Sequence, residues 1–265
     1  MVGSLFDVIH TPAKFPDSVP HQRLILKIDS YGITSKVQSW IRAFLTDRRQ
    51  RVSISGSVSE WSPVTRGVPQ GSILGPVLFV IFINDLPDVL NSWCQMYADD
   101  TRVSTTVDFE KESQVLQKDI DRLVEWADRW QLHFNAAKCK VIHLGRNNPA
   151  HKYTMKMHNS EDRTVLEPTG TEKDLGVQVD AELKFSQHIE MQVAKANRIL
   201  GLIRHSYQFL DGVSIKQLFT ALVRPHLEFA NVAWSPKYQK DKNLIEGVQR
   251  RATRLVPGLS TLPTQ

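Results

Sequence analysis

The chain has 265 residues, 41% of them hydrophobic, and carries 33 Lys and Arg against 28 Asp and Glu for a net charge of +5. This length and composition suit a globular protein of one or two domains and exclude a disordered chain. No apolar run approaches the about 18 residues of a membrane span, so no membrane partner is expected, and the first residues lack the pattern of a signal peptide. Cys94 and Cys139 stand far apart in sequence; they make no metal-ligand set and imply a reduced, intracellular setting, nucleus or cytoplasm.

Residues 1–16 carry weak signals and two prolines, Pro12 and Pro16. Gln22 to Tyr31 is expected as a helix stopped at Gly32. Ser35 is expected to cap a second helix, whose Val37, Trp40, Ile41, Phe44 and Leu45 recur at helical spacing. Arg48 to Ile54 then has strand character, with a turn at Gly56 and a return strand over Val58 to Val64. Arg48-Arg49-Gln50-Arg51 enters that strand as a basic run. Holding a nucleic-acid backbone is one use for it; a charged strand edge that deters pairing is the other.

Arg66-Gly67-Val68-Pro69-Gln70-Gly71-Ser72-Ile73-Leu74-Gly75-Pro76 packs three glycines and two prolines into a short stretch, which specifies a loop with special backbone angles. Ser72 is placed to cap a helix from Ile73 to about Asn84, with Pro76 in its first turn. Apolar on every side, that helix is expected to be buried. Such a loop lets backbone approach a ligand, and a helix start favours anions; an ordinary loop leading into a core helix is the plainer alternative.

Tyr97-Ala98-Asp99-Asp100 lies between Trp93–Tyr97 and Arg102–Val107, both rich in β-branched or aromatic residues, so the two carboxylates fall at a hairpin tip. Adjacent carboxylates repel, and a divalent cation relieves that repulsion. Oxygen-only ligands suit Mg²⁺ or Mn²⁺, metals that drive phosphoryl transfer. A solvated turn could carry the same pair.

Phe109 to Trp130 reads as a long amphipathic helix with Leu116, Ile120, Leu123, Ala127 and Trp130 in one stripe. Leu132 to Asn135 and Lys140 to Leu144 suggest two strands. Residues 146–172 form a polar excursion with short strands at Tyr153–Met157 and Thr164–Leu166, and Leu175 to Val179 suggests another strand. From Ser186 the spacing turns helical in three stripes, the second ending before Pro225. Residues 183–256 hold twelve Lys or Arg and five Asp or Glu, a basic balance that suits a phosphate backbone or a generic basic surface.

Gly67-Val68-Pro69-Gln70-Gly71-Ser72, Ile83-Asn84-Asp85-Leu86 and Tyr97-Ala98-Asp99-Asp100, in this order and spacing, resemble the palm of a reverse transcriptase of the non-LTR retrotransposon (LINE, jockey-like) type. Val19-Pro20-His21-Gln22-Arg23-Leu24, the stretch from Phe44 to Val52, Leu132-His133-Phe134-Asn135 with Lys138-Cys139-Lys140, and Lys173-Asp174-Leu175-Gly176-Val177 agree, so the likeness covers residues 17–256. The resemblance implies an α+β fold. A polymerase palm with an antiparallel sheet and packed helices would occupy residues 1–183, and a helical thumb 184–265. The fingers are expected to be largely missing, and an endonuclease and a ribonuclease H to be absent, as in an N-terminally truncated or decayed copy.

By the same resemblance the chemistry is RNA-directed DNA polymerisation with Mg²⁺ or Mn²⁺, an RNA template, a DNA primer and deoxynucleoside triphosphates. Asp99 would be the main metal ligand and Asp100 the supporting one. Gln70 and Gly71 would border the nucleotide and template, and Lys138 would act as general acid toward the pyrophosphate. Arg48, Arg49, Arg51, Lys195, Arg198, Arg250, Arg251 and Arg254 are the expected phosphate contacts. The family pattern Asp-Phe-Ser-Lys-Ala-Phe-Asp-Ser-Val-Pro-His, aligned on Asp17 to His21, puts Thr11 where a third metal-binding Asp belongs. The prolines around it argue against a central strand there, and Asp7 is the only nearby acidic substitute. The expectation is a polymerase fragment with little or no activity; a non-catalytic nucleic-acid-binding remnant or an inert one are the alternatives.

Overall fold

The computed structural model describes residues 6–12 (of 10–12, the backbone only), 17–107, 110–158, 160–207, 210–256 and 258–259. The chain divides into two compact units, residues 1–169 and 170–265.

The first unit opens with β1 (Phe6–Pro12), followed by α1 (His21–Ser30) and α2 (Ser35–Leu45). Gly32 at φ 77° ends the first of these as expected, but no side chain caps α2. Four two-residue strands come next, β2 (Arg49–Gln50), β3 (Ser53–Ile54), β4 (Ser57–Val58) and β5 (Ser62–Pro63). Pairing of β2 with β5 and β3 with β4 makes the expected hairpin around Gly56.

Helix α3 (Leu74–Ile83) buries Leu78, Phe79, Phe82 and Ile83 but leaves Ile73, at its N-terminal cap, 96% and Val77 and Val80 about half exposed. Its all-apolar sequence therefore does not make it fully buried: neighbours cover only one side. On that side Phe82 meets Trp130 edge-on at 5.8 Å. Lys27, 2% exposed, bonds the Phe82 carbonyl and the Asp85 carboxylate and lies 3.9 Å from the centre of the Trp130 ring. Burial pulls its ammonium down to about 8 despite Asp85.

β6 (Trp93–Tyr97), β7 (Asp100–Thr106), α4 (Glu110–Trp130), β8 (Lys140–Leu144), β9 (Thr154–Lys156), β10 (Arg163–Val165) and β11 (Glu167–Thr169) complete this unit. A five-stranded sheet runs β11-β8-β1-β7-β6, antiparallel except for β11 against β8. The predicted stripe of α4 is buried at Leu116, Ile120, Leu123 and Ala127 and shares a core with Ile9, Val103 and Val141. Leu132 to Asn135 is not a strand. The Asn135 side chain accepts from the Ala137 amide at 3.1 Å and turns the chain into a single 3₁₀ turn, Ala136–Lys138.

In the second unit β12 (Thr171–Asp174) and β13 (Val177–Asp180) form a hairpin. Its two turn residues, Leu175 and Gly176, both take positive φ, the I′ geometry that suits strand twist. A side chain at Gly176 would also press on Phe229, 3.0 Å away. The expected strand over Leu175 to Val179 thus starts two residues late. Helices follow: α5 (Ser186–Ser206), α6 (Gly212–Leu218), a π turn (Phe219–Val223), α7 (Arg224–Glu228), α8 (Asn231–Trp234) and α9 (Gln239–Thr253).

The division falls at 169/170 rather than 183/184, because the β12–β13 hairpin packs with the helices that follow. Val177 joins the core of Ile189, Val193, Val223, Trp234 and Val248, and the Gln178 amide donates to His188 Nδ1 at 3.1 Å. The helical path does not end before Pro225. The proline stands in the first turn of α7, where its missing N–H costs least, and the π turn absorbs the join.

Candidate active site

Tyr97 pairs with Asp100 across β6 and β7, so Ala98 and Asp99 form a two-residue tip. Ala98 has φ 52°, a conformation that costs a non-glycine residue on the order of 1 kcal/mol. Both Asp99 and Asp100 are half-buried. Asp100 sits at the end of β7 between edge strand β6 and central strand β1, held by the ladders on either side, and Asp99 is the turn residue just before it. The sequence reading of a carboxylate hairpin tip is realised.

β1 is a strand, and a central one. Pro12 does no harm because it is the last residue, opposite Asp100, while pairing with β8 stops earlier at His10; no ladder there needs its missing N–H. Thr11 pairs with Thr101, beside Asp100, so the backbone of the expected third-carboxylate position lies at the tip. Asp7 is excluded as its substitute. It stands five positions before Pro12, about 17 Å along a strand, and it is fully buried in a network of its own. His143 Nδ1 meets it at 2.7 Å, Asn148 Nδ2 at 2.9 Å and the Tyr153 hydroxyl at 2.6 Å. Burial raises the Asp7 carboxyl, but those hydrogen bonds and the His143 charge outweigh it and hold the group below its ordinary value.

Lys138 is exposed and ends the 3₁₀ turn two residues before Lys140, which pairs with His10 of β1. It therefore lies at the same end of the sheet as the carboxylates, two strands or roughly 10 Å across.

The glycine loop is fastened to residues 17–21. The Gly67 amide donates to the Val19 carbonyl at 2.8 Å, His21 Nε2 contacts the Gly67 carbonyl at 2.8 Å, and Gln70 Nε2 donates to Asp17 Oδ1 at 2.5 Å. Gly67 is obligatory, with φ 86° and a Cβ position only 2.7 Å from the Asp17 carbonyl. Gly71 also has positive φ but faces open space, which leaves its backbone accessible to a ligand. Ser72 is not the expected cap, because the helix begins one residue later with Ile73 in the capping position; its hydroxyl still accepts from the Gly75 amide at 2.9 Å.

This loop lines one cleft of about 570 Å³ with Asp17, Arg48, Arg49, Gln50 and Arg66 through Gln70. Arg48 and Arg49 thus join Gln70. Arg51 stands apart, stacked 4.7 Å from the Trp61 ring. Arg66 and Asp17 belong to the cleft although the sequence reading gave them no role; their place in the family-like segments was the signal.

In the second unit Arg251 and Arg254 line a groove of about 640 Å³ between α5 and α9 with Asn197, Gly201 and Arg204. Arg204 was missed, although it continues the helical face of Asn197 and Gly201 by steps of four and three. Arg250 instead pairs with Glu246 at 3.1 Å. Lys195 and Arg198 are exposed on other faces of α5, outside the groove.

A family model described as reverse transcriptase (RNA-dependent DNA polymerase) matches residues 13–204. The chain belongs to the reverse transcriptase family. Among its relatives, the RNA-directed DNA polymerase from the mobile element jockey of Drosophila melanogaster is 28% identical over 82% of this chain and 25% of its own length. The probable RNA-directed DNA polymerase from transposon X-element, also of Drosophila melanogaster, is 27% identical over 91% of this chain and 27% of its own length. The chain spans about a quarter of the curated relatives it matches. These matches place it with reverse transcriptases of the non-LTR, LINE-like kind. In fold, it is similar to telomerase from Candida albicans, solved with a TWJ fragment of telomeric RNA, at a TM-score of 0.53 and 10% identity over 99% of this chain and 50% of that one.

Proposed function

We propose that residues 1–169 are the palm and residues 170–265 the thumb of an intracellular mobile-element RNA-directed DNA polymerase. Its partners are an RNA template, a DNA primer and deoxynucleoside triphosphates. The observation that carries this reading is the Asp99-Asp100 tip lodged against β1, with Lys138 at the same end of the sheet.

Oxygen donors at a half-buried tip fit Mg²⁺ or Mn²⁺, and Asp99 and Asp100 are the residues that would hold it. When bound, the metal supplies charge neutralisation at the phosphates and a more acidic primer hydroxyl. Gln70 and the open backbone of Gly71 border the incoming nucleotide, Arg48 and Arg49 hold phosphate in the adjoining cleft, and Lys138 delivers a proton to the departing pyrophosphate. With Thr11 in place of a third carboxylate, the negative charge available to a second metal is short by one group. Turnover is correspondingly slow, because charge stabilisation of the transition state is usually the largest catalytic contribution.

The test has two readouts. Mn²⁺ binding followed by electron paramagnetic resonance should be lost in Asp99→Ala and weakened in Asp100→Ala, and slow primer extension on an RNA template should vanish in Asp99→Ala. Mn²⁺ binding indifferent to both substitutions would overturn the assignment.

A further inference from the structure

A second constellation lines a cavity other than the cleft of the glycine loop. Asp128 near the end of α4, His133 just after that helix, and His158 between β9 and β10 bring one ligand atom each within 4.8 Å of one another. His158 Nδ1 is 2.8 Å and His133 Nδ1 3.6 Å from the same Asp128 Oδ1. The two rings stack at 3.4 Å. We propose that Asp128, His133 and His158 form a zinc site that staples the end of α4 to the segment leading into Lys138 and to the β9–β10 hairpin.

The geometry argues for a metal over a plain hydrogen-bonded cluster. Asp128 Oδ1 accepts a hydrogen bond from His158 Nδ1, while His133 Nδ1 lies 3.6 Å from the same oxygen, beyond hydrogen-bond range. In a tetrahedral zinc site with bonds of about 2.0–2.1 Å, neighbouring ligand atoms lie about 3.3 Å apart. The two observed separations bracket that value. Two stacked imidazoles cannot both be charged without repulsion, and neutral imidazole is the form that binds metal. Burial first, then the His158 ring and Arg66, hold His133 below the ordinary imidazole range in spite of Asp128.

Val124, Ala127 and Met155 line a cavity of only about 10 Å³ at the cluster, the room of one small ion or water. Arg66 and Lys156 are the cations nearby, and Lys156 is paired with Glu161 at 2.7 Å. Two nitrogens and one carboxylate select zinc, cobalt or nickel over Mg²⁺. The site is therefore chemically distinct from an all-oxygen polymerase centre.

The experiment uses the full chain carrying Asp99→Ala and Asp100→Ala, so that the carboxylate tip cannot bind the ion. Calorimetric titration with Zn²⁺ should give one site per chain. At a hundredfold excess over Kd, Tm should rise by roughly 5–10 °C, with no such rise in Mg²⁺. Adding His133→Ala and His158→Ala should abolish both effects, whereas adding His151→Ala and His205→Ala should not. If the ligand variants melt abnormally in chelator, X-ray absorption of the zinc-loaded starting chain decides independently, since it should show two imidazole ligands. Undiminished binding in the His133/His158 variant, no zinc binding at all, or an absorption spectrum without imidazole would overturn the proposal.

Discussion

Pro12 faces Asp100 across the β1–β7 ladder. The residue next to it, Thr11, pairs with Thr101, so its backbone lies beside the carboxylate tip, and Thr11→Asp returns the acidic residue that the family pattern has at this position. Thr11→Asp is expected to speed Mn²⁺-dependent primer extension by about 100-fold. An unchanged rate in a variant that melts normally would mean that the missing carboxylate does not limit this chain.

Asp7, by contrast, contributes stability. Its folded-state pKa is depressed, so its contribution is complete above the unfolded value of about 3.9 and is lost as pH falls through the folded value. Asp7→Ala removes the acceptor of the buried Tyr153 hydroxyl and the carboxylate partner of His143 and is expected to cost about 3 kcal/mol at pH 7. Urea unfolding of both proteins should show the gap narrowing below about pH 4, and Mn²⁺ binding should be untouched.

Lys27 gives the opposite pH signature. Its ammonium titrates at about 8 in the folded chain against about 10.4 unfolded. Below pH 8 both states hold the proton and the burial cost is felt in full. Between the two values the unfolded state holds more protons, so stability rises with pH. Relative to Lys27→Met, the wild type should gain roughly 3 kcal/mol across that window. A flat difference would place the ammonium in contact with solvent.

Both thiols should be unreactive in the folded chain. Burial pushes Cys94 up to about 11, helped by Asp119, and Cys139 up to about 12. A disulfide reagent at pH 8 should modify them at a rate that tracks unfolding and rises in parallel with added urea. Fast modification of Cys139 would contradict its placement.

Nucleic-acid affinity should follow the Arg204, Arg251 and Arg254 groove. Reversing these three charges should weaken binding equally for unrelated oligonucleotides and flatten the dependence on log[salt] by about 1 per lost contact. Reversing Lys195 and Arg198, which lie outside the groove, should do less. Equal losses in the two sets would indicate a diffuse basic surface.

Much of this was legible from residue pattern. The α4 stripe, the Asp99 tip and the Gly56 hairpin are local: spacing or turn chemistry decides them, and the structure agrees. The failures are non-local. β1 ends on a proline in a stretch of weak strand signals, yet β7 and β8 supply partners on both sides of it. The exposed side of α3 depends on which neighbours arrive, which its uniform apolarity cannot specify. Asp7 looked like a spare ligand because sequence proximity to Thr11 hides the strand length between them. Asp128, His133 and His158 carry no sequence motif and meet only through the packing of α4 on β9.

The central place of β1 has a consequence for synthesis. Phe6 pairs with Thr106 and with Leu144, 100 and 138 residues further along the chain. At about 5–20 residues per second, β1 leaves the ribosome several seconds before either neighbour exists. Nascent chains therefore hold β1 without a partner until β7 emerges and with one open edge until β8 does, and the sheet closes late around the segment made early. Such long-range pairing slows folding and exposes strand edges, so chaperone occupancy on stalled nascent chains should persist until residues beyond Leu144 have cleared the exit tunnel.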